Sequence, residues 1–222
     1  MANPKPPHAF LLALALFAAC APALVPLDRA ELARLKGEPI RVVTYQPPRF
    51  LYQAPVSQFG AGGVFNPVTG GFSGGAAGDP RAQVFAIDTP LEDPALRIKE
   101  VFIKGLAGEL DAARLIDTPE TLADDDARTL QKKFDGGAVL DFQTESWGLL
   151  ASSLISLPYT MVYAARGRLL RLSDGRVLWQ GHCRYDANLD QFKANSTPAL
   201  KEKFIEAAES CAQQLLAQFG RQ

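Results

Sequence analysis

The feature that most constrains the fold is a hairpin pattern in the last third of the chain. Residues 159–172 carry apolar side chains at alternate positions, and residues 177–185 repeat that alternation. A period of two is typical of strands that bury one face. The connection, residues 173–176, reads Ser-Asp-Gly-Arg, and Asp-Gly is a strong signal for a tight turn. The sequence therefore predicts an antiparallel hairpin.

Two cysteines lie on this hairpin and on the element that follows it. Cys183 occupies the apolar side of the second predicted strand. Residues 197–219 then predict a closing helix, with Cys211 on its apolar face. Both sulfurs point towards one core, so we expect a disulfide rather than two buried free thiols. By chain entropy such a bridge stabilises the fold by about 3.5 kcal/mol.

The N-terminus has the pattern of an export signal. Lys5 precedes an unbroken apolar run at residues 9–19, which is too short to span a bilayer as a helix. The run ends in Phe-Ala-Ala directly before Cys20. This segment resembles the lipobox of bacterial lipoproteins, with Phe17 where Leu is usual. The resemblance implies removal of residues 1–19 and acylation of Cys20. The alternative is an ordinary signal cut after an Ala-x-Ala site.

The charge balance excludes some classes of partner. The chain has 23 basic and 24 acidic residues, and loss of Lys5 with the signal leaves 22 and 24, a net charge of −2. We therefore expect no nucleic-acid binding, since no basic excess exists to neutralise phosphates. Membrane attachment would depend on acyl chains, because no polybasic segment is present.

A glycine-rich segment interrupts the chain. No charged side chain occurs from residue 50 to residue 78, and eight of the eighteen glycines lie between residues 60 and 78. We expect a long loop over about 54–80, either a flexible linker or a loop that contacts a membrane or partner. Its phenylalanines Phe59, Phe65 and Phe72 would then be the anchors.

Other elements follow from periodicity and capping residues. Residues 40–45 predict a strand, and Asp93 followed by proline predicts a helix through residue 110. A second helix is predicted from residue 118 to about 134, ended by Gly-Gly at 136–137. Residues 138–147 predict a strand whose odd positions, Asp141 among them, face outwards.

These elements define a fold class and a division of the chain. They predict an α+β domain with a mixed sheet, including a C-terminal antiparallel hairpin, and with helices packed mainly on one face. We expect residues 1–19 as the signal, 20–37 as a tether that includes a short helix at 28–35, and 38–222 as a single domain.

Two segments of this domain carry a family resemblance. The helix end Lys-Lys-Phe-Asp-Gly-Gly-Ala-Val-Leu (132–140) and the hairpin Leu-Leu-Arg-Leu-Ser-Asp-Gly-Arg-Val-Leu-Trp (169–179) are similar to a unit of bacterial envelope lipoproteins. These proteins share the α/β fold of the TolB N-terminal domain, the curli-secretion lipoprotein and the activators of penicillin-binding proteins. The resemblance covers about residues 114–219. It implies an accessory or assembly role and carries no catalytic residue.

Enzymatic chemistry has one candidate residue. Residues 71–75 match G-x-S-x-G, the nucleophile elbow of serine hydrolases, with Ser73 as nucleophile. His182 is the only histidine after the signal, and Asp186 or Asp190 would orient it. The elbow requires a strand before the serine and a helix after it, which this glycine tract does not predict.

The sequence therefore favours a non-enzymatic role. We expect a lipid-anchored accessory protein on the periplasmic side of the outer membrane, where it binds another envelope protein or its own copies. Ala21 supports this location, because in enterobacterial lipoproteins Asp after the cysteine signals inner-membrane retention. The candidate partner contacts are the three loop phenylalanines and Trp147, which the alternation places on the polar side of its strand. No metal or cofactor is expected; a carrier of small apolar ligands is a further alternative.

Overall fold

A computed structural model describes residues 24–35, 37–53, 64–66, 71–73, 84–87, 89–106, 115–151, 159–190 and 196–220. The helices are α1 (Arg29–Arg34), α2 (Pro94–Gly105), α3 (Ala127–Lys133) and α4 (Thr197–Gly220). The strands are β1 (Ile40–Tyr45), β2 (Phe50–Gln53), β3 (Val64–Asn66), β4 (Gly71–Ser73), β5 (Val84–Ile87), β6 (Leu115–Leu122), β7 (Ala138–Ala151), β8 (Tyr159–Arg171) and β9 (Val177–Leu189).

The main sheet has seven strands around β7. One side of β7 pairs in parallel with β1 along its first half and with β2 along its second half. Its other side pairs with β8 in antiparallel orientation, and β8 pairs with β9. Outer strands β6 and β5 complete the sheet beside β1 and β2. The α+β class, the mixed sheet and the C-terminal hairpin are therefore confirmed.

Two ends of this sheet are useful landmarks. The turn end carries the β8–β9 connection, residues 172–176, where Gly175 has φ +70° as a tight turn requires. The far end lies where β7 and β9 finish and β8 begins, with Ala151 opposite Tyr159 and Tyr159 opposite Leu189.

The front face of the sheet, defined as the face against α2 and α4, holds the larger core. Both helices bury one stripe of apolar side chains, as their periodicity predicts. Aromatic rings dominate the contact between helices and sheet. These rings are Phe50, Phe102, Phe142, Trp147, Tyr163, Trp179, Phe204 and Phe219.

The opposite, back face is covered by α3 near the turn end. A smaller apolar cluster fills the space between that helix and strands β1, β7 and β8, with Val43, Leu130, Val139 and Leu170 at its centre. Helices therefore lie on both faces, although the two longest share the front face. The α3 helix ends at Lys133, three residues before the Gly-Gly pair that predicts its stop.

The structure differs from two of the predicted elements. Residues 118–122 belong to β6 and not to a helix, because this segment pairs with β1, and α3 begins only at Ala127. The predicted glycine-rich loop contains two short strands, β3 and β4, which pair with each other in antiparallel orientation. Helix α2 has the predicted start and ends at Gly105.

Candidate functional site

A groove of about 370 Å³ opens between α2 and α4, at the level of Thr144 and Trp147 on β7. The loop before α2 and the first two turns of α2 form one wall, and the second turn of α4 with the start of its third forms the other. Phe204 is almost completely buried, and its ring packs against Trp147 behind the groove. The lining residues are Leu91, Glu92, Asp93, Pro94, Leu96, Arg97, Glu100, Lys201, Phe204 and Ile205.

The rim of the groove combines an exposed apolar side chain with paired charges. Ile205 is 42% exposed, one of the few large hydrophobic side chains on the described surface. Arg97 donates to Glu100 at 3.2 Å on its own helix and to Glu209 on α4 at 2.8 Å. This ion pair bridges the two helices and fixes the groove's width on that side.

Below the groove, Asp93 connects α2 to the sheet. Its Oδ1 accepts the Ala95 backbone N–H at 3.0 Å, which caps the helix, and also accepts a hydrogen bond from the Thr144 hydroxyl. Thr144 in turn shares a hydrogen bond of 3.0 Å with the buried Tyr163 hydroxyl. Burial raises the pKa of the Asp93 carboxyl, and its hydrogen bonds oppose that rise.

Trp147 is part of the front-face core, so its predicted placement on the polar side of its strand is wrong. A β-bulge between Thr144 and Ser146 inserts one residue and reverses the alternation of β7. Trp147 is therefore 3% exposed, and its indole N–H donates to the Pro48 carbonyl at 2.7 Å. Its ring packs edge-on against Phe50 at 5.4 Å.

A buried charge cluster occupies the back face. Asp141, which alternation predicts to face solvent, is fully buried there among the side chains of Tyr45, Arg166 and Arg168. Its Oδ2 accepts hydrogen bonds from Arg168 Nε at 2.8 Å and from the Tyr45 hydroxyl at 3.0 Å. Burial raises the pKa of the Asp141 carboxyl, while Arg168 and Arg166 oppose that rise.

Arg166 links this cluster to the loop before α3. Its Nη2 donates to Asp125 Oδ2 at 2.8 Å and lies 3.6 Å from Asp141 Oδ1. Burial alone would raise the pKa of Asp125, but the hydrogen bond and charge of Arg166 outweigh burial and lower it. Two buried polar atoms of the cluster, Asp141 Oδ1 and Arg166 Nε, have no hydrogen-bond partner among the described residues. The cluster holds the α3 loop against the sheet.

The neighbouring aspartates have separate roles. Asp126 caps α3 by accepting the backbone N–H groups of Arg128 and Thr129, and Asp124 accepts the backbone N–H of Asp126. Their carboxylates are committed to the chain itself. Across the described residues, no group of three or more His, Cys, Asp or Glu side chains is arranged to hold a metal ion.

The predicted disulfide is present. Cys183 on β9 and Cys211 on α4 are bonded, with their Cα atoms 5.2 Å apart. Both cysteines face the front core, as their two periodicities predict. Cys20, the predicted acylation site, lies outside the described residues. None of the described helices combines the length and the apolar character that a membrane span requires.

The candidate hydrolase residues Ser73 and His182 lie on different strands, β4 and β9. Ser73 is the last residue of β4 and pairs with Val64 on β3. His182 Nδ1 lies 3.2 Å from Glu145 Oε2, so Glu145 is the acidic neighbour of this histidine. Asp186 instead accepts a hydrogen bond from Arg184. Hydrolase activity stays an untested prediction.

The three loop phenylalanines remain untested as partner contacts. Phe65 and Phe72 lie directly opposite each other in the β3–β4 pair, and Phe59 lies outside the described residues. Sequence reasoning missed the groove, because its walls come from segments about a hundred residues apart. The one available signal was Ile205, an apolar residue beside Phe204 that falls off the buried stripe of α4.

Comparisons with known proteins give distant structural likenesses. No family model matches the chain, and no curated protein matches it. The PelC dodecamer from Paraburkholderia phytofirmans is 13% identical, with a TM-score of 0.39, covering 92% of this chain and 96% of that chain. Protein XCC0632 from Xanthomonas campestris, of the DUF330 family, is 13% identical with a TM-score of 0.35, covering 82% and 85%.

A third structure is that of a lipoprotein. GNA1162 from Neisseria meningitidis is 20% identical with a TM-score of 0.29, covering 53% of this chain and 88% of that chain. At these scores and identities the likenesses carry no argument about function. The resemblance to the TolB and curli-secretion folds stays a prediction.

Proposed function

We propose that this protein is a lipid-anchored accessory protein of the bacterial cell envelope. Acyl chains on Cys20 attach it to the outer membrane, facing the periplasm, where it binds a protein partner or its own copies. The Cys183–Cys211 disulfide carries this proposal, because structural disulfides form in exported proteins and are rare in the cytosol. The Ala-Ala-Cys sequence after the apolar run supplies the anchor.

The groove between α2 and α4 supports the binding role. Protein interfaces combine an apolar centre with a polar rim, and the groove offers the exposed Ile205 together with the Arg97–Glu209 ion pair. The occupant that fits is an apolar side chain of a protein partner. A small apolar ligand fits less well, because aromatic side chains fill the space directly beneath the sheet.

The anchor is tested by expressing the full chain in a Gram-negative bacterium and measuring the mass of its N-terminal peptide. We expect an N-terminus at Cys20 carrying a diacylglycerol group, with the protein in the outer-membrane fraction. The Cys20→Ala variant should lose the acyl mass and leave that fraction. A mature N-terminus formed at an Ala-x-Ala site, with no acyl mass on the wild type, would contradict the proposal.

The compartment is tested on the same material. A peptide map without reductant should recover Cys183 and Cys211 as one linked pair. Recovery of both cysteines as free thiols from intact cells would contradict export of the protein to an oxidising compartment.

A further inference from the structure

The outer edge of β9 is closed to a further strand. Val25 exchanges two backbone hydrogen bonds with this edge, at 3.0 and 2.9 Å. Beyond it, two glutamine side chains of α4 take the place of a strand. Gln218 donates to the His182 carbonyl at 2.8 Å and accepts the His182 N–H at 3.1 Å. Gln214 makes the same two contacts with Arg184, at 3.1 and 3.4 Å. A partner strand therefore finds this stretch of backbone already occupied.

The edge strand β6 is also a poor template for strand pairing. Pro119 lies in its middle and has no N–H to donate. Beside that proline, the register between β6 and β1 shifts between Val42 and Thr44. Asp117 and Glu120 add charge to the same strand. Natural edge strands use these devices to avoid pairing with other chains. Contact between molecules is therefore favoured through side chains rather than through β6 or β9.

The α4 stripe, defined as Lys201, Ile205 and Glu209, is exposed beside the groove. The three residues are four apart, so they lie one above another on the same face of α4. Ile205 is 42% exposed, and the Glu209 side chain is 48% exposed. Glu209 holds Arg97 through one carboxylate oxygen, Oε1. Lys201 forms no hydrogen bond or ion pair within the described part of the chain. The stripe therefore presents a positive, an apolar and a negative group in order along the helix.

This order makes the stripe complementary to itself. Lys201 and Glu209 each lie about 6 Å along the helix from Ile205, on opposite sides of it. An antiparallel second α4, with a two-fold axis at Ile205, brings each lysine level with Glu209 of the other copy. We propose that a second copy of this chain binds at the groove through the α4 stripe. This inference rests on the binding role proposed above and names the partner.

The paired arrangement has the composition of a protein interface. The two Ile205 side chains meet at the axis, next to both grooves, where Leu96 is a half-buried apolar side chain of the opposite wall. Two Lys201–Glu209 ion pairs lie at the rim, since the two-fold axis repeats every contact. Acyl anchors confine the copies to one membrane surface, which raises their effective concentration. A contact of modest area therefore suffices.

The contact is tested by zero-length crosslinking of the acylated full-length protein in lipid vesicles. A carbodiimide joins a lysine amine directly to a carboxylate, with loss of water. Lys201 and Glu209 of one helix are about 12 Å apart, so a direct link between them joins two copies. We expect peptide mapping to find this Lys201–Glu209 link. Its absence would overturn the proposal.

Charge reversal measures the strength of the contact. Association is followed by energy transfer between donor-labelled and acceptor-labelled copies in the same vesicles. Lys201→Glu or Glu209→Lys alone places like charges opposite each other twice, so each should weaken association at least about tenfold. A mixture of the two variants should restore it, because every lysine again faces a carboxylate. Lys132→Glu on α3, at an exposed position, is the matched control and should leave association unchanged.

The outcomes separate this inference from the proposed function. A mixture as weakly associated as the single variants would overturn pairing through the α4 stripe. A groove adduct with a different protein, without the Lys201–Glu209 link, would overturn the second copy as occupant and leave the accessory role in place. Absence of the acyl group from Cys20 would instead overturn the proposed anchor, and it is read separately from the N-terminal peptide.

Discussion

The two faces of the sheet are held to their helices by different physical means. On the front face, aromatic and aliphatic side chains of the sheet interdigitate with those of α2 and α4. On the back face, Asp141 and Arg168 lie beside the smaller apolar cluster under α3. Apolar packing gains stability from buried area. A buried ion pair contributes little net stability but is costly to break.

The difference teaches where each face is sensitive to change. The front face should lose stability in proportion to the volume removed, because every ring there has several neighbours. The back face should respond to the loss of one charge far more strongly than to the loss of both.

The largest expected effect is on the front face. The Phe102 ring packs against Phe142 at 5.1 Å, Trp179 at 5.5 Å and Phe219 at 5.7 Å. Phe102→Ala should lower the free energy of unfolding, measured in urea, by about 4–5 kcal/mol through lost burial and a cavity. Ile116→Ala is the control, because Ile116 is 46% exposed. This substitution should change the free energy of unfolding by less than about 0.5 kcal/mol. Small and equal losses of stability in the two variants would contradict a packed core around Phe102.

The second-largest effect on stability is expected on the back face, where a single and a triple substitution should differ most clearly. Asp141→Ala leaves Arg168 buried without its partner and should cost about 3–4 kcal/mol in the same urea measurement. Replacing all three interacting side chains in one variant, by Asp141→Leu, Arg168→Met and Tyr45→Phe, should restore most of the lost stability. A triple variant as unstable as the single one would show that the charges are not the sensitive element.

A smaller effect tests the bulge in β7. Trp147→Phe keeps a buried ring but removes the N–H that donates to the Pro48 carbonyl. We expect a loss of about 1 kcal/mol in the free energy of unfolding. An unchanged stability would mean that Trp147 is at the surface, as simple alternation predicts.

The smallest effect concerns pH and links the front face to the groove. Burial raises the pKa of Asp93 above its ordinary 3.8, so the folded state keeps a proton that the unfolded state has released. The Asp93 contribution to stability is therefore full below about pH 4 and declines as pH rises through the raised pKa. Asp93→Asn keeps an acceptor for the Ala95 N–H but does not titrate. The free energy of unfolding, measured across this pH range, should depend less on pH for the variant than for the wild type. Identical slopes for the two proteins would contradict the raised pKa of Asp93.

Sequence patterns predicted the elements whose partners are close along the chain. The β8–β9 hairpin follows from alternation and an Asp-Gly turn, and the disulfide follows from two periodicities that agree. The structure departs where a distant partner decides. Residues 118–122 form a strand because they pair with β1. Asp141 is buried because Tyr45 and Arg168, from two other strands, surround its carboxylate.

The candidate site was harder to predict than the fold. One inserted residue in β7 moves Trp147 from the predicted polar side into the core, and no local sequence signal marks a bulge of this kind. The groove forms where α2 and α4 pack together, and no single segment of the sequence specifies that contact. The N-terminal pairing of Val25 with Gln180 on β9 likewise joins two distant segments.

The most direct test of the binding role is photo-crosslinking in cells from the groove. A photoreactive side chain replaces Ile205 in the full-length protein, and Ile116 on β6, of similar exposure, is the matched control position. We predict one dominant protein adduct from position 205, either another envelope protein or a second copy, and its loss when Leu96→Asp is introduced into the groove wall. Equal adducts from both positions, or an adduct that survives Leu96→Asp, would contradict the account.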